Sequence, residues 1–509
     1  MADTMRGVYT NLTEIRRNVF CEVAKIAYEG GDDQAKKLDE LPYKIIPGDV
    51  ATYRESVFLE RAIVGERIRL TLGLPLQGVD RPEQLSDGLA EAAKPETYYQ
   101  PPLINIIKFA CNACEDNVYR VTNMCQGCLA HPCREICPKG AITFVDKKAH
   151  IDQEKCIHCG QCAKVCPYHA ILHKERPCAS ACGMHAIGSD EHGRAQIDYE
   201  KCVSCGQCLI NCPFGAIADK SQIFQVIQAI NAGDEVIAAV APAFVGQFGG
   251  KGNVGKLREA FHQLGFSGVE EVALGADLCT IQEADDYLNE VPDKLPFMGT
   301  SCCPAWSVMA KKEFPKYANC ISMALTPMTL TARMIRTQHP HAKIVFVGPC
   351  AAKKLEAMRK SIRSEVDFVL TFEEMAGIFE ARHIDVNTLK EDPHGVNDAS
   401  ADGRNFAVSG GVAQAVVNVI KEKYPDREIK VANAEGLSEC RKLMMMAKAG
   451  KYNGYLLEGM ACPGGCVAGA GTMQSIKKSS VAVNMYAKQA EHQVATGTHH
   501  VAELDKLVD

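Results

Sequence analysis

No stretch of this 509-residue chain stays apolar for the ~18 residues that a membrane-crossing helix needs. The opening segment, MADTMRGVYTNLTEIRRNV, has no apolar core of the kind a secretory signal carries. There is no excess of basic charge: 56 Lys and Arg stand against 62 Asp and Glu, a formal net charge of −6, which gives nucleic-acid binding no support. No glycine-rich fingerprint for a flavin or nicotinamide cofactor is visible. These absences predict a cytoplasmic protein with neither membrane nor nucleic acid as partner. The length exceeds what one core serves. With 47% hydrophobic and 23% charged residues the composition is that of ordinary globular domains, so two to four domains are expected.

What the chain has in excess is cysteine, 25 in all, mostly in tight CxxC groups. In a reducing compartment such clusters serve metal or redox centres instead of disulfides. Scattered buried thiols, acting as small hydrophobes, would not give this spacing. Residues 1–100 contain only Cys21 and carry apolar residues at helical spacing over Leu12–Tyr28 and Ser56–Leu72, which predicts a mostly helical N-terminal domain for packing or docking. Residues 101–220 hold sixteen cysteines. From 221 to 509, apolar runs such as Val236–Val240 and Ile344–Val347 alternate with helical stretches such as Leu325–Gln338. That alternation predicts an α/β domain with largely parallel sheets.

Two stretches have the form CxxCxxCxxxCP: Cys156, Cys159, Cys162, Cys166-Pro167 and Cys202, Cys205, Cys208, Cys212-Pro213. They resemble bacterial ferredoxins, in which three cysteines bind one 4Fe-4S cluster and the fourth reaches across to its neighbour. Soft thiolates suit iron–sulfur centres, and the two-residue spacing lets a short loop wrap a cube with backbone N–H groups facing the sulfurs. The resemblance implies α+β ferredoxin-like domains.

An internal repeat extends the pattern. PCREICPKGAI from Pro132 matches PCASACGMHAI from Pro177, and each is followed by an IDxEKCxxCGQC segment. The first copy supplies two full sets, Cys125, Cys128, Cys133 with Cys166, and Cys156, Cys159, Cys162 with Cys137. The second supplies Cys202, Cys205, Cys208 with Cys182, and leaves Cys178 and Cys212 two ligands short. Cys111 and Cys114, just upstream, complete that set, so all sixteen cysteines are used in four clusters. The alternative, a zinc site of Cys111, Cys114, Cys125 and Cys128, strands Cys133 and Cys166.

Three motifs then follow in order: Thr-Ser-Cys-Cys-Pro-Ala-Trp at Thr300–Trp306, Gly-Pro-Cys-Ala-Ala-Lys-Lys at Gly348–Lys354, and Glu-Gly-Met-Ala-Cys-Pro-Gly-Gly-Cys at Glu458–Cys466. Each follows a short apolar run, and sites in open α/β sheets gather at the carboxyl ends of strands. Over residues 236–490 the chain resembles the iron-only (FeFe) hydrogenases. The resemblance implies a two-lobed catalytic domain and an H-cluster, a 4Fe-4S cube bridged through a cysteine to a two-iron unit with CO, cyanide and dithiolate ligands. The cube's ligands would be Cys303, Cys350, Cys462 and Cys466, with Cys466 the bridge.

It also implies roles for other residues. Cys302 would carry protons to and from the two-iron unit, a thiol being tunable towards working pH; otherwise it merely packs beside Cys303. Ser322, counted from Trp306, matches the family's relay serine. Glu283 and Asp286 match its two acids, with one residue inserted near Cys279; alternatively Glu283, Asp285 and Asp286 form a solvated helix face. Lys353 would hydrogen-bond one cyanide, Pro242 and Ala243 would lie near the other, and Met460 would line the two-iron site or serve the core. Ala305, Gly348, Ala243 and Met328 depart from the best-studied members, and the Ala-Trp and Gly-Pro-Cys variants look like the group B branch.

The implied activity is that of a ferredoxin hydrogenase, reversible H2 oxidation and proton reduction, with a ferredoxin as electron partner and hydrogenase maturation proteins as assembly partners. Rival readings are an H2 sensor of low turnover and a relative of the cytosolic iron–sulfur assembly factors. No role is assigned to Cys21, Cys279, Cys320 and Cys440.

Overall fold

A computed structural model describes residues 6–78, 80, 83–93, 101–249, 254–359, 363–392 and 398–508. The two N-terminal stretches are helices, the amphipathic Asn11–Glu29 capped by the Thr10 hydroxyl and Val57–Thr71, buried on nearly every side and capped by Ser56, with a third, Gln34–Ile45, between them. They build no separate core among the described residues. Val23, Leu38 and Ile68 join one continuous apolar cluster with Phe224, Ile237 and Phe372 of the α/β domain. The contact is made by Asn11–Glu29, which packs on the helices Ile223–Asn231 and Phe372–Ala381.

The α/β domain carries two sheets, both parallel. In the first, Val236–Val240 and Lys343–Gly348 run side by side, with Gly268–Glu271 on one edge and Phe368–Thr371 on the other. Its two central strands are buried almost throughout, which is why they read as unbroken apolar runs. In the second, Tyr455–Met460 lies between Lys430–Glu435 and the two-residue strand Met298–Gly299. The three sequence motifs begin at or just beyond the carboxyl ends of Met298–Gly299, Lys343–Gly348 and Tyr455–Met460, so the two sheets present them to one crevice.

The sequence repeat at 125–217 is a structural repeat. The first half has the antiparallel ribbon Ile142–Val145 with Lys148–Ile151 and the short helices Pro132–Glu135 and Gln161–Val165. The second has Ile187–Ser189 with Ala195–Ile197 and the helices Pro177–Ser180 and Gln207–Asn211. The second half abuts the α/β domain. At Gly206, whose φ is +78°, an added Cβ would lie 2.6 Å from the Cβ of Ala470, an approach open only to glycine. Beside this contact the fully buried Lys354 donates to Asp219 Oδ2 at 2.8 Å, Lys220 O at 2.7 Å and Glu374 Oε1 at 2.8 Å, pinning the end of the cluster region to the helix that follows Thr371.

Candidate active site

Three small cavities in the repeat region are each walled by four cysteines: Cys125, Cys128, Cys133 and Cys166; Cys137, Cys156, Cys159 and Cys162; and Cys182, Cys202, Cys205 and Cys208. Each quartet takes three cysteines from one stretch and one from another, as the ferredoxin pattern requires. The remaining four also converge. Burial and the nearby thiols of Cys212 and Cys111 push Cys178 up to about 12, and burial with Cys111 and Cys212 raises Cys114.

The backbone repeats this equivalence. Ala149 N donates to Cys125 Sγ at 3.4 Å, and the matching Ala195 N donates to Cys111 Sγ at 3.3 Å. Ala141 and Ala186 serve Cys137 and Cys182 in the same way, as Ala170 and Ala216 serve Cys166 and Cys212. Cys111 thus occupies, in the second half, the place Cys125 occupies in the first. All-thiolate quartets with backbone N–H groups turned to the sulfurs fit iron–sulfur cubes.

Where the two sheets meet, a cavity of about 80 Å³ is walled by Cys303, Cys350, Cys462 and Cys466, with Cys302, Lys353, Met460 and the Pro242–Phe244 turn completing it. Burial pushes Cys466 up to about 12 and Cys350 up to about 11, a cost that cationic iron would reverse. Cysteine sulfurs here also receive N–H donors: Ala461 N to Cys303 Sγ at 3.5 Å, and Gln207 Nε2 to Cys462 Sγ at 3.3 Å. Cys205 walls both this cavity and its own quartet's, so the two sites share a partition.

Two motifs interlock behind the cavity. Trp306 is fully buried and donates to Thr300 O at 3.1 Å; a Cβ on Gly459 would fall 2.1 Å from its ring. Glycine at 459 is therefore what lets the Cys462 loop close over the Cys303 loop.

Lys353 reaches Glu356 Oε2 at 2.7 Å, and Thr326 Oγ1 donates to the other oxygen of Glu356 at 2.5 Å. An ammonium has three donors, so this pairing leaves Lys353 further N–H groups for an anionic ligand.

The helix Val272–Glu290 runs through Cys279 without a break and sets Glu283 and Asp286 one turn apart. Glu283 is fully buried. Its Oε1 accepts the Ser301 N–H at 2.6 Å, its Oε2 has no hydrogen-bond partner, and burial pushes it up to about 7. Burial and the neighbouring Glu290 and Asp285 also raise Asp286. Burial above all, then Glu283, raises Cys302 well above the usual thiol range. Ser322 lies beside Gly299, its N–H donating to Gly299 O at 2.8 Å, and its Oγ accepts from Ala324 N at 3.1 Å. Among the described residues no hydrogen bond joins Ser322 to either acid.

Three residues of the site went unread in the sequence. Glu356, at i+3 from Lys353, carried a helical-pair signal. Gln207, inside a CxxC repeat, carried none pointing across the domains. Glu458, which accepts Gly410 N at 2.6 Å and Ala413 N at 2.7 Å to fix the loop opposite, sits within a quoted motif.

This combination defines a class: an iron–sulfur protein in which ferredoxin-type clusters adjoin a cysteine-walled cavity of an α/β domain. The family model "Iron only hydrogenase large subunit, C-terminal domain" matches residues 234–470, and "4Fe-4S binding domain" matches 149–172 and 195–218. Iron hydrogenase 1 of Clostridium pasteurianum is 28% identical over 73% of this chain and 74% of its own. The periplasmic Fe hydrogenase large subunit of Nitratidesulfovibrio vulgaris is 31% identical over 63% of this chain and 85% of its own. The nuclear prelamin A recognition factor of Xenopus laevis is 24% identical over 47% of this chain and 65% of its own. The chain belongs to the iron-only hydrogenase family.

Proposed function

We propose that this protein is a catalytically active FeFe-hydrogenase of the group B type that interconverts H2 with protons and electrons. The observation that carries the reading is the cavity that brings together Cys302, the four cysteines of the cube, Lys353 and Met460 from motifs more than 150 residues apart. The H-cluster would supply there the two-iron unit at which H2 is split or formed.

Cys303, Cys350, Cys462 and Cys466 hold the cube; Lys353, steadied by Glu356, donates to an anionic ligand; the Pro242–Ala243 turn and Met460 close the apolar wall. Cys302 holds and moves the proton at its Sγ. Glu283, with an uncommitted buried oxygen, is next in line, and Asp286 one turn on leads to the surface; the place of Ser322 in the relay rests on the family resemblance alone.

Electrons would enter from a ferredoxin in the cytoplasm. The cluster of Cys137, Cys156, Cys159 and Cys162 includes the exposed Cys159, which makes it the point of entry from the carrier. Cys178 lies within electrostatic reach of Cys208, and Cys205 adjoins the catalytic cavity, so the two cubes of the second half would lead to the H-cluster site.

The reading as a low-turnover H2 sensor and the likeness to the prelamin recognition factor are tested by one experiment. Protein matured with hydrogenase maturation proteins should show infrared bands of bound CO and cyanide and evolve H2 from reduced ferredoxin. Bands with negligible turnover favour the sensor, and their absence the non-catalytic relatives.

A further inference from the structure

Among the described residues, and outside the cysteine sites, one group of metal-ligating side chains converges from segments far apart in the chain. Asp398, His492 and His499 each bring a ligand atom to within 4.8 Å of the other two. We propose that these three residues bind a divalent transition cation of the zinc class and that the ion fastens the C-terminal segment to the catalytic domain.

The geometry is close to that of a coordination shell. Asp398 Oδ1 lies 3.1 Å from His492 Nε2, while Asp398 Oδ2 accepts the backbone N–H of His499 at 2.6 Å, so one carboxylate is held between the two histidines. Zinc bonds of about 2.0–2.1 Å to nitrogen and oxygen set neighbouring ligand atoms on a tetrahedral ion roughly 3.4 Å apart. The Asp398–His492 edge is already near that length. Bringing in the exposed His499 ring asks roughly 1 Å of side-chain adjustment.

The two imidazoles are not stacked: their centroids lie 6.1 Å apart with planes at 77°, and a nitrogen of each comes within 4.8 Å of the Asp398 carboxylate and of the other ring's nitrogen. An ordinary ion pair accounts for His492 alone; the second imidazole is what a shared cation adds. His492 is also oriented from behind, because a Cβ on Gly497 would meet its Nδ1 at 2.9 Å, so that nitrogen faces the Ala495–Gly497 turn and Nε2 faces Asp398. Two neutral imidazoles and one carboxylate suit zinc better than magnesium or calcium, which prefer all-oxygen shells. Three protein ligands leave one position for water.

The site lies where a clamp would matter. Ala401 N donates to His492 O at 2.8 Å and Asp402 N to Gln493 O at 3.2 Å, laying the two segments alongside each other. Beyond His499 the chain turns back, and Leu507 is buried in the apolar cluster that Leu278 and Cys279 of the helix bearing Glu283 and Asp286 also join. A cation at Asp398, His492 and His499 would thus tie down the cover over that helix.

The test uses the cluster-loaded, full-length protein equilibrated with zinc sulfate and desalted. About one zinc per chain should remain, and crystals should give an anomalous peak at the zinc edge between the three side chains. His499→Ala, at an exposed position that folding does not depend on, and Asp398→Asn should each lose that zinc while the iron content stays at the parent level. Zinc should also slow tryptic release of the C-terminal segment several-fold in the parent and not in the variants. Absence of bound zinc in the parent, or equal zinc in parent and His499→Ala, overturns the proposal; in the first case the cluster is an ion pair only, and in the second the zinc sits elsewhere.

Discussion

Ser301 holds Glu283 by one oxygen only: its backbone N–H donates to Oε1 at 2.6 Å, while Oε2 is buried with no partner. A carboxyl anchored on one side and vacant on the other keeps its position and still exchanges a proton. Burial is the largest influence on its acidity and outweighs the Ser301 hydrogen bonds, so Glu283 titrates at about 7 instead of the ordinary 4.5.

That shift has a sign for stability. A carboxyl whose acidity is weakened by folding favours the fold when protonated. The contribution is complete below about pH 4.5 and is lost as the pH rises through about 7. Glu283→Gln, which preserves the acceptor for Ser301 N–H, removes the titration. Its thermal-inactivation midpoint should therefore gain on the parent's as pH goes from about 5 to about 8, by an amount bounded near roughly 3 kcal/mol. H2 turnover should fall by ~10² or more with clusters intact. A pH-independent gap between variant and parent would show that Glu283 does not titrate in this range.

Cys302 separates proton transfer from packing. Cys302→Ala should retain the full iron complement and the CO and cyanide infrared bands, because Cys303 keeps its place as ligand. Turnover in both directions should nonetheless drop at least ~10²-fold, the lower end of what positioned acid–base groups contribute. Cys302→Asp should restore part of the activity with a shifted pH optimum. Near-normal turnover in Cys302→Ala would mean that protons reach the cavity by another route, and Ala305, which also lines it, marks where to look.

The elements that were legible in the sequence are those with a local signature. Val236–Val240 is a strand because five buried residues in a row must face helices on both sides, and Asn11–Glu29 is a helix because its apolar residues recur with the helical period. The cysteines that wall each small cavity group as their repeated spacing suggests, whereas the place of Cys111 and Cys114 in a fourth ligand set is a proposal from the deficit in the second copy. What could not be read depends on contacts with no local trace. Nothing around Leu38 or Ile68 says that the N-terminal helices share a core with Phe372. Nothing in the CxxC stretch says that Gln207 reaches Cys462, 255 residues away. The relay was half legible: helical spacing puts Glu283 and Asp286 on one face, but the partner of Glu283 is a backbone N–H, which no side-chain pattern encodes.

Lys354 follows Lys353 directly, yet the two should fail differently when replaced. Lys353 borders the cavity, whereas Lys354 is fully buried between Asp219 and Glu374 at 2.8 Å each. Lys354→Met would leave two carboxylates without their cation, a loss of roughly 3–5 kcal/mol for a broken buried pair. Its expected outcome is poor soluble yield and a lowered melting temperature. Lys353→Met strands a single carboxylate, Glu356, which keeps the Thr326 hydroxyl as a donor, so it should lose less stability than Lys354→Met and should lose turnover. Equal stability of the two variants would show that the Lys354 network contributes little to joining the cluster region and the catalytic domain.

The fourth cluster gives the last prediction. Four ferredoxin-type cubes with a complete H-cluster would bring the iron to roughly 22 per chain. The assignment of Cys111 and Cys114 rests on the repeat and on Ala195 N, which donates to Cys111 Sγ as Ala149 N does to Cys125 Sγ. Replacing Cys111 and Cys114 together by serine should remove about four irons and leave the spectroscopic signals of the other clusters in place. Cys178 and Cys212, both buried, would be left facing each other, and electron delivery from ferredoxin should slow far more than H2 evolution driven by a small dye able to reduce the clusters nearer the cavity. If the double variant loses zinc and no iron, Cys111 and Cys114 belong to a structural zinc site and the structural repeat does not extend to metal. If it loses iron but ferredoxin-driven turnover is unchanged, the fourth cluster lies off the electron path, and entry must then occur at a cluster closer to Cys205.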